Sequence, residues 1–354
     1  MGLQEKPLIN NEYYSQENHG PYENFNLGDF ALESGEVLKD ASLAFSIIGK
    51  LNKERSNAIL FTVMFSGTSK NMEHYIGPGK ALDPSKYCII LPNQLGNGIS
   101  TSPNNATRDQ AMNAFPEISI GDDVVAQHRL LTEKFQITEL QLVTGWSMGA
   151  QQTYEWAIRY PAMVKRAAPI AGTAKCTPHN ALYVDVFSAA LTSDPAYAEG
   201  SYESAHSCED GLRRLAHVFA LMGACSDFYK EEVWRRLGFQ SQQECLENFW
   251  VAWFKPMDPN VLICMANKWK LGDSSKHANG DLTQALQRIR AKMYVIAFER
   301  DMFVPPADAE FEQKQIKNSE LKIVPSLLGH FAMLGLLEED FKAIDDLFSE
   351  LLSS

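Results

Sequence analysis

The sequence predicts an α/β fold: a mostly parallel sheet covered by helices on both faces, with a helical segment inserted before its last strands. Three observations carry that expectation. Short, nearly unbroken apolar runs recur at residues 58–65 (AILFTVMF), 87–91 (YCIIL) and 292–298 (KMYVIAF), as expected of strands buried on both faces. Helical patterns separate several of the strand-like runs, the rhythm of right-handed crossovers between parallel strands. Between residues 173 and 287 the text becomes almost wholly helical, and sheet-like text resumes afterwards.

Taken in order, the opening segment to Gly20 is polar and is expected on the surface. Residues 25–48, interrupted by Glu33-Ser34-Gly35-Glu36, read as a hairpin whose second strand includes residues 43–48. The runs at 58–65 and 87–91 follow as strands. Residues 93–109 (NQLGNGISTSPNNATRD) are rich in turn formers and have no helical period, so they form a long loop, and a loop of this length usually has a function. A helix over 124–135, a strand over 140–144, a helix over 148–160 ended by Pro161 and a strand over 165–170 complete the first part. The insertion has helices at 181–191, 212–222 and 231–236 and holds four of the six tryptophans, at 234, 250, 253 and 269. A strand at 292–298, a helix at 307–315, a strand at 321–324 and an amphipathic helix at 337–351 close the chain. The expected division is therefore a core over 1–172 and 288–354, with a helical cap over 173–287.

Composition narrows the function. With 354 residues, 45% hydrophobic and 21% charged, the chain has the make-up of a soluble globular protein with a large core. Its formal net charge of -12 and the lack of a basic run argue against nucleic acid as a partner. Cysteines 88, 176, 208, 225, 245 and 264 contain no CxxC pair and read as thiols of a reducing compartment. The start, MGLQEKPLINNEYY, has no apolar signal core, and Lys6 stands where a myristoylation pattern has Ser or Thr. A cytoplasmic protein that binds no membrane is expected. Asn105-Ala106-Thr107 has the form of a glycosylation sequon and is read as a solvent-facing loop.

One stretch points to chemistry. Gly145-Trp146-Ser147-Met148-Gly149 fits G-x-S-x-G, follows a β-type run and opens a helix, the strand, sharp turn and helix in which a nucleophilic serine is held. The competing role for Ser147 is a helix N-cap without chemistry. In this architecture the partners come downstream, acid before histidine. Asp301 follows the strand at 292–298, with Glu299 as a nearby competitor, and His330 is the one histidine of eight that lies beyond Asp301. His330 is expected to take the Ser147 proton, with Asp301 orienting its ring. The oxyanion would be met by the amides of Met148 and, from the loop at 65–68, Phe65, with Ser66, Gly67 and Trp146 beside the substrate. Neither His74 with Glu73 nor His206 with Glu203 has the spacing of a zinc site, and Gly77-Pro78-Gly79-Lys80 lacks the form of a phosphate loop. No metal or cofactor is expected; the partner is a small-molecule acyl substrate.

Several stretches together resemble the homoserine O-acetyltransferase family of α/β-hydrolase enzymes: Gly77-Pro78-Gly79-Lys80-Ala81-Leu82-Asp83, Asn93-Gln94-Leu95-Gly96, Ser147-Met148-Gly149 with Glu155-Trp156-Ala157 and Tyr160-Pro161, Asp301-Met302-Phe303-Val304-Pro305-Pro306, and Gly329-His330. The resemblance spans nearly the whole chain. It implies an α/β-hydrolase fold with a mostly parallel central sheet and an inserted helical cap, a homodimer formed through that cap, and acyl transfer from a coenzyme A thioester co-substrate through acyl-Ser147 to homoserine. The sequence departs from the family at the acceptor. Phe331 replaces the acidic residue that follows the family's histidine, His217 stands near the position of its carboxylate-binding arginine with Arg213 or Arg214 as substitutes, and Ala150 replaces a glycine. Losing an amine partner and a bidentate clamp removes strong recognition of a zwitterion. Hydrolysis of an ester, thioester or amide is therefore expected first, O-acyl transfer to homoserine or another alcohol second, and a catalytically silent binding or assembly role third.

Overall fold

Alternation along short apolar strands builds two hydrophobic layers, one on each side of a single sheet. In the computed structural model, which describes residues 11–354, eight strands stand in the order β1-β2-β4-β3-β5-β6-β7-β8. Lys6 lies outside the described residues. β1 (Glu23–Ala31) and β2 (Val37–Ile48) form the predicted hairpin, and β2 also pairs antiparallel with β4 (Cys88–Pro92). The other neighbours are parallel: β3 (Ala58–Thr62), β5 (Leu142–Trp146), β6 (Arg166–Ile170), β7 (Lys292–Phe298) and β8 (Ser319–Val324). Ile59 and Phe61 face one hydrophobic layer, Ala58 and Leu60 the other, as a two-residue period requires. Helices α1 (Ile120–Arg129) and α2 (Met148–Arg159) cover the sheet in the first part of the chain.

The helical insertion leaves the sheet after β6 and returns at β7. Its longer helices are α3 (Pro178–Thr192), α4 (Glu209–Gly223) and α5 (Pro259–Lys270), and α6 (Pro306–Gln313) and α7 (Glu338–Leu352) follow in the C-terminal part. Lys268 of α5 is completely buried and ties the insertion to the sheet side of the molecule. Its ammonium donates to Asp123 Oδ2 of α1 and to the Leu95 carbonyl, both at 2.6 Å.

Four expectations change on folding. The strand expected over 58–65 stops at Thr62. Beyond it, the carbonyls of Val63 and Met64 accept from Gln94 Nε2, so the chain leaves the ladder and turns across the sheet's end. The helix expected over 231–236 is broken at Glu232, whose φ of 53° is left-handed, into Ser226–Lys230 and a 3-10 turn over Val233–Leu237. Residues 93–104 of the long loop are buried, and of the solvent-facing segment expected at 105–107 Asn105 is exposed, Thr107 half-buried and Ala106 buried. Asn and Ser side chains supply the partners that make burial possible: Asn97 Oδ1 accepts from the amides of Ile99 and Ser100, and Ser102 Oγ accepts from that of Gly98. The segment before Gly20 is not wholly superficial, because Asn11 and His19 are buried. All six cysteines are free thiols, and no helix among the described residues is long and apolar enough to cross a membrane.

Candidate active site

Ser147 sits at the turn between β5 and α2 with φ 58° and ψ −116°, a conformation that costs a non-glycine residue energy and persists only where its surroundings impose it. Its neighbours are glycine for lack of room. A Cβ at Gly149 would lie 2.7 Å from the Thr62 carbonyl oxygen, and one at Gly145 would lie 2.5 Å from that of Gly149. The Ser147 side chain makes no capping bond. It points instead to His330, whose Nε2 is 3.0 Å from Ser147 Oγ.

His330 Nδ1 is 2.7 Å from Asp301 Oδ2. The carboxylate is held in turn by its own loop, with Oδ1 accepting from the amides of Phe303 at 2.8 Å and Val304 at 2.9 Å. Ser147, Asp301 and His330 are only 9%, 4% and 5% exposed, so this chain of hydrogen bonds operates where water screens it little. Glu299, the competing acid, is exposed. The arrangement is fit to pass a proton from a serine hydroxyl to an imidazole that a buried carboxylate orients.

Beside it, Met148 is the first residue of α2, and its amide belongs to the turn that a helix leaves without internal acceptors. The amide of Phe65 has no protein acceptor among the described residues. Ser66 Oγ accepts from Trp253 Nε1 of the insertion at 2.8 Å, and Gly67 packs against the Met64 side chain. Trp146 lies 5.3 Å from the His330 ring, and Phe331 meets Trp146 and Trp250 edge-on at 5.6 and 4.7 Å. Gly223 of α4 leaves room for that packing, since a Cβ there would overlap the Phe331 ring.

The insertion adds residues that sequence reasoning did not single out. Phe219 of α4 stacks on Phe65 at 5.6 Å and lies 5.7 Å from Phe303, which is itself 4.6 Å from His330. An aromatic wall thus runs from one candidate oxyanion amide to the histidine. Phe303 had a sequence signal, two positions after Asp301. Trp253 was marked only as one of the four tryptophans of the insertion, and Phe219 had no signal, because its approach is tertiary.

His217, expected beside the substrate, makes no hydrogen bond or ring contact with Ser147, His330 or Phe331 among the described residues. It is exposed on α4 and borders a groove with Leu221, Tyr229, Gln242 and Trp250, while Ala216, Phe219 and Ala220 of the same helix are buried. The two substitute arginines are also engaged elsewhere: Arg213 Nη1 donates to the Glu247 carboxylate at 2.5 and 2.6 Å, and Arg214 Nε donates to the Ala190 carbonyl at 3.1 Å. Among the described residues, no three His, Cys, Asp or Glu side chains are grouped as metal ligands.

Electrostatics also brace the helix that carries Ser147. Burial would raise the Glu155 pKa, but hydrogen bonding from His277 and the charges of Lys276 and Arg159 outweigh it and hold the group down at about 2. Glu155 accepts from Arg159 Nε at 2.8 Å and Ser274 Oγ at 2.9 Å, and lies 2.7 Å from His277 Nε2.

Comparison with known proteins agrees with this geometry. The family described as alpha/beta hydrolase fold matches residues 63–211. An ethyl acetate hydrolase of Pseudomonas veronii is 48% identical, over 97% of this chain and 99% of that one. The crystal structure of an acetylester hydrolase from Corynebacterium glutamicum superposes with a TM-score of 0.96 at 46% identity, covering 98% of this chain and 100% of that one. A homoserine O-acetyltransferase of Methanococcoides burtonii is similar at the lower identity of 32%, over 87% of this chain and 69% of that one. The resemblance to homoserine O-acetyltransferases is thus the more distant of these relationships. On its sheet, its serine turn and these relatives, the chain belongs to the α/β-hydrolase family, as a serine hydrolase.

Proposed function

We propose that this enzyme hydrolyses short-chain esters, acetyl esters above all, through an acyl-Ser147 intermediate. The observation that carries the reading is the hydrogen-bond series from Ser147 Oγ through His330 to Asp301, at 3.0 and 2.7 Å. His330 Nε2 takes the hydroxyl proton as Ser147 Oγ attacks the ester carbonyl, and Asp301 stabilises the imidazolium formed. The tetrahedral oxyanion is met by the amides of Met148 and Phe65. His330 then passes its proton to the departing alcohol. A water molecule, deprotonated by the same imidazole, attacks the acyl-enzyme to release the acid and restore Ser147.

Two findings support a small acyl group and water as acceptor. Phe219 of the insertion closes an aromatic wall with Phe65 and Phe303 of the core loops beside the site, which favours short acyl chains. Phe331 brings an apolar ring where an amine partner would be needed, and Arg213 is already paired with Glu247. The 48% identical ethyl acetate hydrolase supports the same substrate class.

The test is release of acid from a series of alkyl esters, followed by titration at constant pH. Acetyl esters are expected to turn over fastest, with rates falling as the acyl chain lengthens. Ser147→Ala should lower kcat by about a millionfold. A Ser147→Ala variant that retains turnover would overturn the proposed nucleophile, and a preference for long acyl chains would overturn the substrate class.

A further inference from the structure

Phe65 and its neighbours are held by no regular structure on one side, yet an oxyanion donor has to sit at a fixed place if it is to act on the transition state. Hydrogen bonds from three directions fix this loop. From the sheet end, Asn93 Oδ1 accepts from the Ser69 amide at 2.9 Å. From the insertion, Trp253 donates to Ser66. The third anchor comes from the N-terminal segment, where His19 Nδ1 lies 3.1 Å from Thr68 Oγ1.

His19 is no incidental neighbour. It is 6% exposed and Thr68 3%, its Nε2 has no hydrogen-bond partner among the described residues, and Tyr13 packs edge-on against its ring at 4.6 Å. The same segment also grips the insertion: Tyr14 Oη accepts from the Asp258 amide, and Asn11 Nδ2 donates to the Pro256 carbonyl, both at 3.2 Å. Residues 253–258 therefore touch the loop directly through Trp253 and indirectly through the strap of residues 11–19. Thr68 passes the constraint on, because Asn71 Oδ1 accepts from its amide at 2.8 Å.

We propose that His19 is a positioning residue for ester hydrolysis, and that residues 11–19 form a strap that clamps the Phe65–Thr68 loop between the sheet end and the helical insertion. The inference rests on the reading of Ser147 and the Phe65 amide given above. Loss of the anchor lets the donor drift from the oxyanion and leaves ground-state ester binding almost intact. The signature is a fall in kcat and kcat/KM together.

The experiment compares His19→Ala, His19→Asn and Thr68→Val, separately and with His19→Ala and Thr68→Val combined, on an acetyl ester. Active enzyme is counted by stoichiometric fluorophosphonate labelling of Ser147, so misfolded protein does not enter the rates. Because one displaced donor forfeits part of the hundredfold or more that a removed donor costs, His19→Ala is expected to lower kcat per labelled serine about tenfold with KM within about twofold. The asparagine variant, which can place a polar atom near the position of Nδ1, should recover most of that loss. The double variant should be no slower than the worse single variant, since both remove one contact. Unchanged kcat per labelled serine in His19→Ala, a loss confined to KM, or failure of asparagine to recover activity would each overturn the strap. Failure of wild-type enzyme to label or to cleave the ester would instead overturn the serine hydrolase reading beneath it.

Discussion

Glu312 shows how one buried group sets a pH limit on the fold. It lies 3% exposed on α6, where one carboxyl oxygen accepts from the Ala174 amide at 2.8 Å at the root of the insertion. Burial pushes its pKa up to about 8, above an ordinary value of 4.5. Between those values the folded chain keeps a proton that the unfolded chain has lost. Stability therefore falls as pH rises through this window and levels off above the folded pKa. Glu312→Gln keeps the acceptor for Ala174 and has no charge to bury, so its melting temperature should vary less between pH 5 and pH 8, on the order of the window just given. Calorimetric melts across that range check it, and parallel curves for both proteins would refute the assignment. The triad residues were legible in sequence for the opposite reason. Ser147, Asp301 and His330 follow strands in a fixed order, and strand ends meet at one edge of a parallel sheet. The place of His217 was not legible, because a residue count along α4 does not set which side of the helix turns inward.

Elements expose a different dependence, the joint between core and insertion. Lys268 and Asp123 are both fully buried, on α5 and α1, and burial raises the Asp123 pKa to about 6 despite the facing ammonium. Asp123 Oδ1 also accepts from the Leu95 amide, so the pair fixes the long buried loop as well as two helices. Lys268→Met would leave a buried carboxylate without its cation, at a cost of about 3–5 kcal/mol. Adding Asp123→Asn removes the stranded charge and keeps an acceptor for Leu95, so much of the loss should return. Urea unfolding with unchanged m-values reads this directly, and a double variant no more stable than Lys268→Met alone would argue against the pair as the joint. The helices and strands themselves were largely legible, since their apolar periods and Pro161 mark them in the text. Their buried ion pair was not, because a lysine in an amphipathic helix ordinarily marks its solvent side. The early end of β3 was equally hidden: residues 63–65 are as apolar as a strand, and side chains distant in sequence, Gln94 and Gln152, bond the carbonyls that a strand would use.

At the scale of the whole molecule, the choice between water and an alcohol as acceptor rests on how core and insertion meet. An amino-acid acceptor carries a carboxylate and an ammonium group, and transfer to it outcompetes hydrolysis only if both are bound and the hydroxyl is aimed at the acyl carbon. Three cations of the insertion are already engaged: Arg213 with Glu247, Arg214 with the Ala190 carbonyl, and Lys255 with Glu209. Beside His330, Phe331 is locked edge-on against Trp250 and Trp146. Burying an ammonium there without a partner would carry a desolvation cost that no carboxylate repays. The formal net charge of -12 adds a general repulsion toward a polyanionic thioester donor. With a saturating acetyl ester, free acetate should therefore equal ester consumed whether or not homoserine is present, and acetyl coenzyme A should be a poor donor. Mass spectrometry of the products against a titration of released acid measures both. O-acetylhomoserine as the main product, with little free acetate, would mean that the insertion binds an acceptor by groups other than those named here, and would reverse the order of hydrolysis and transfer.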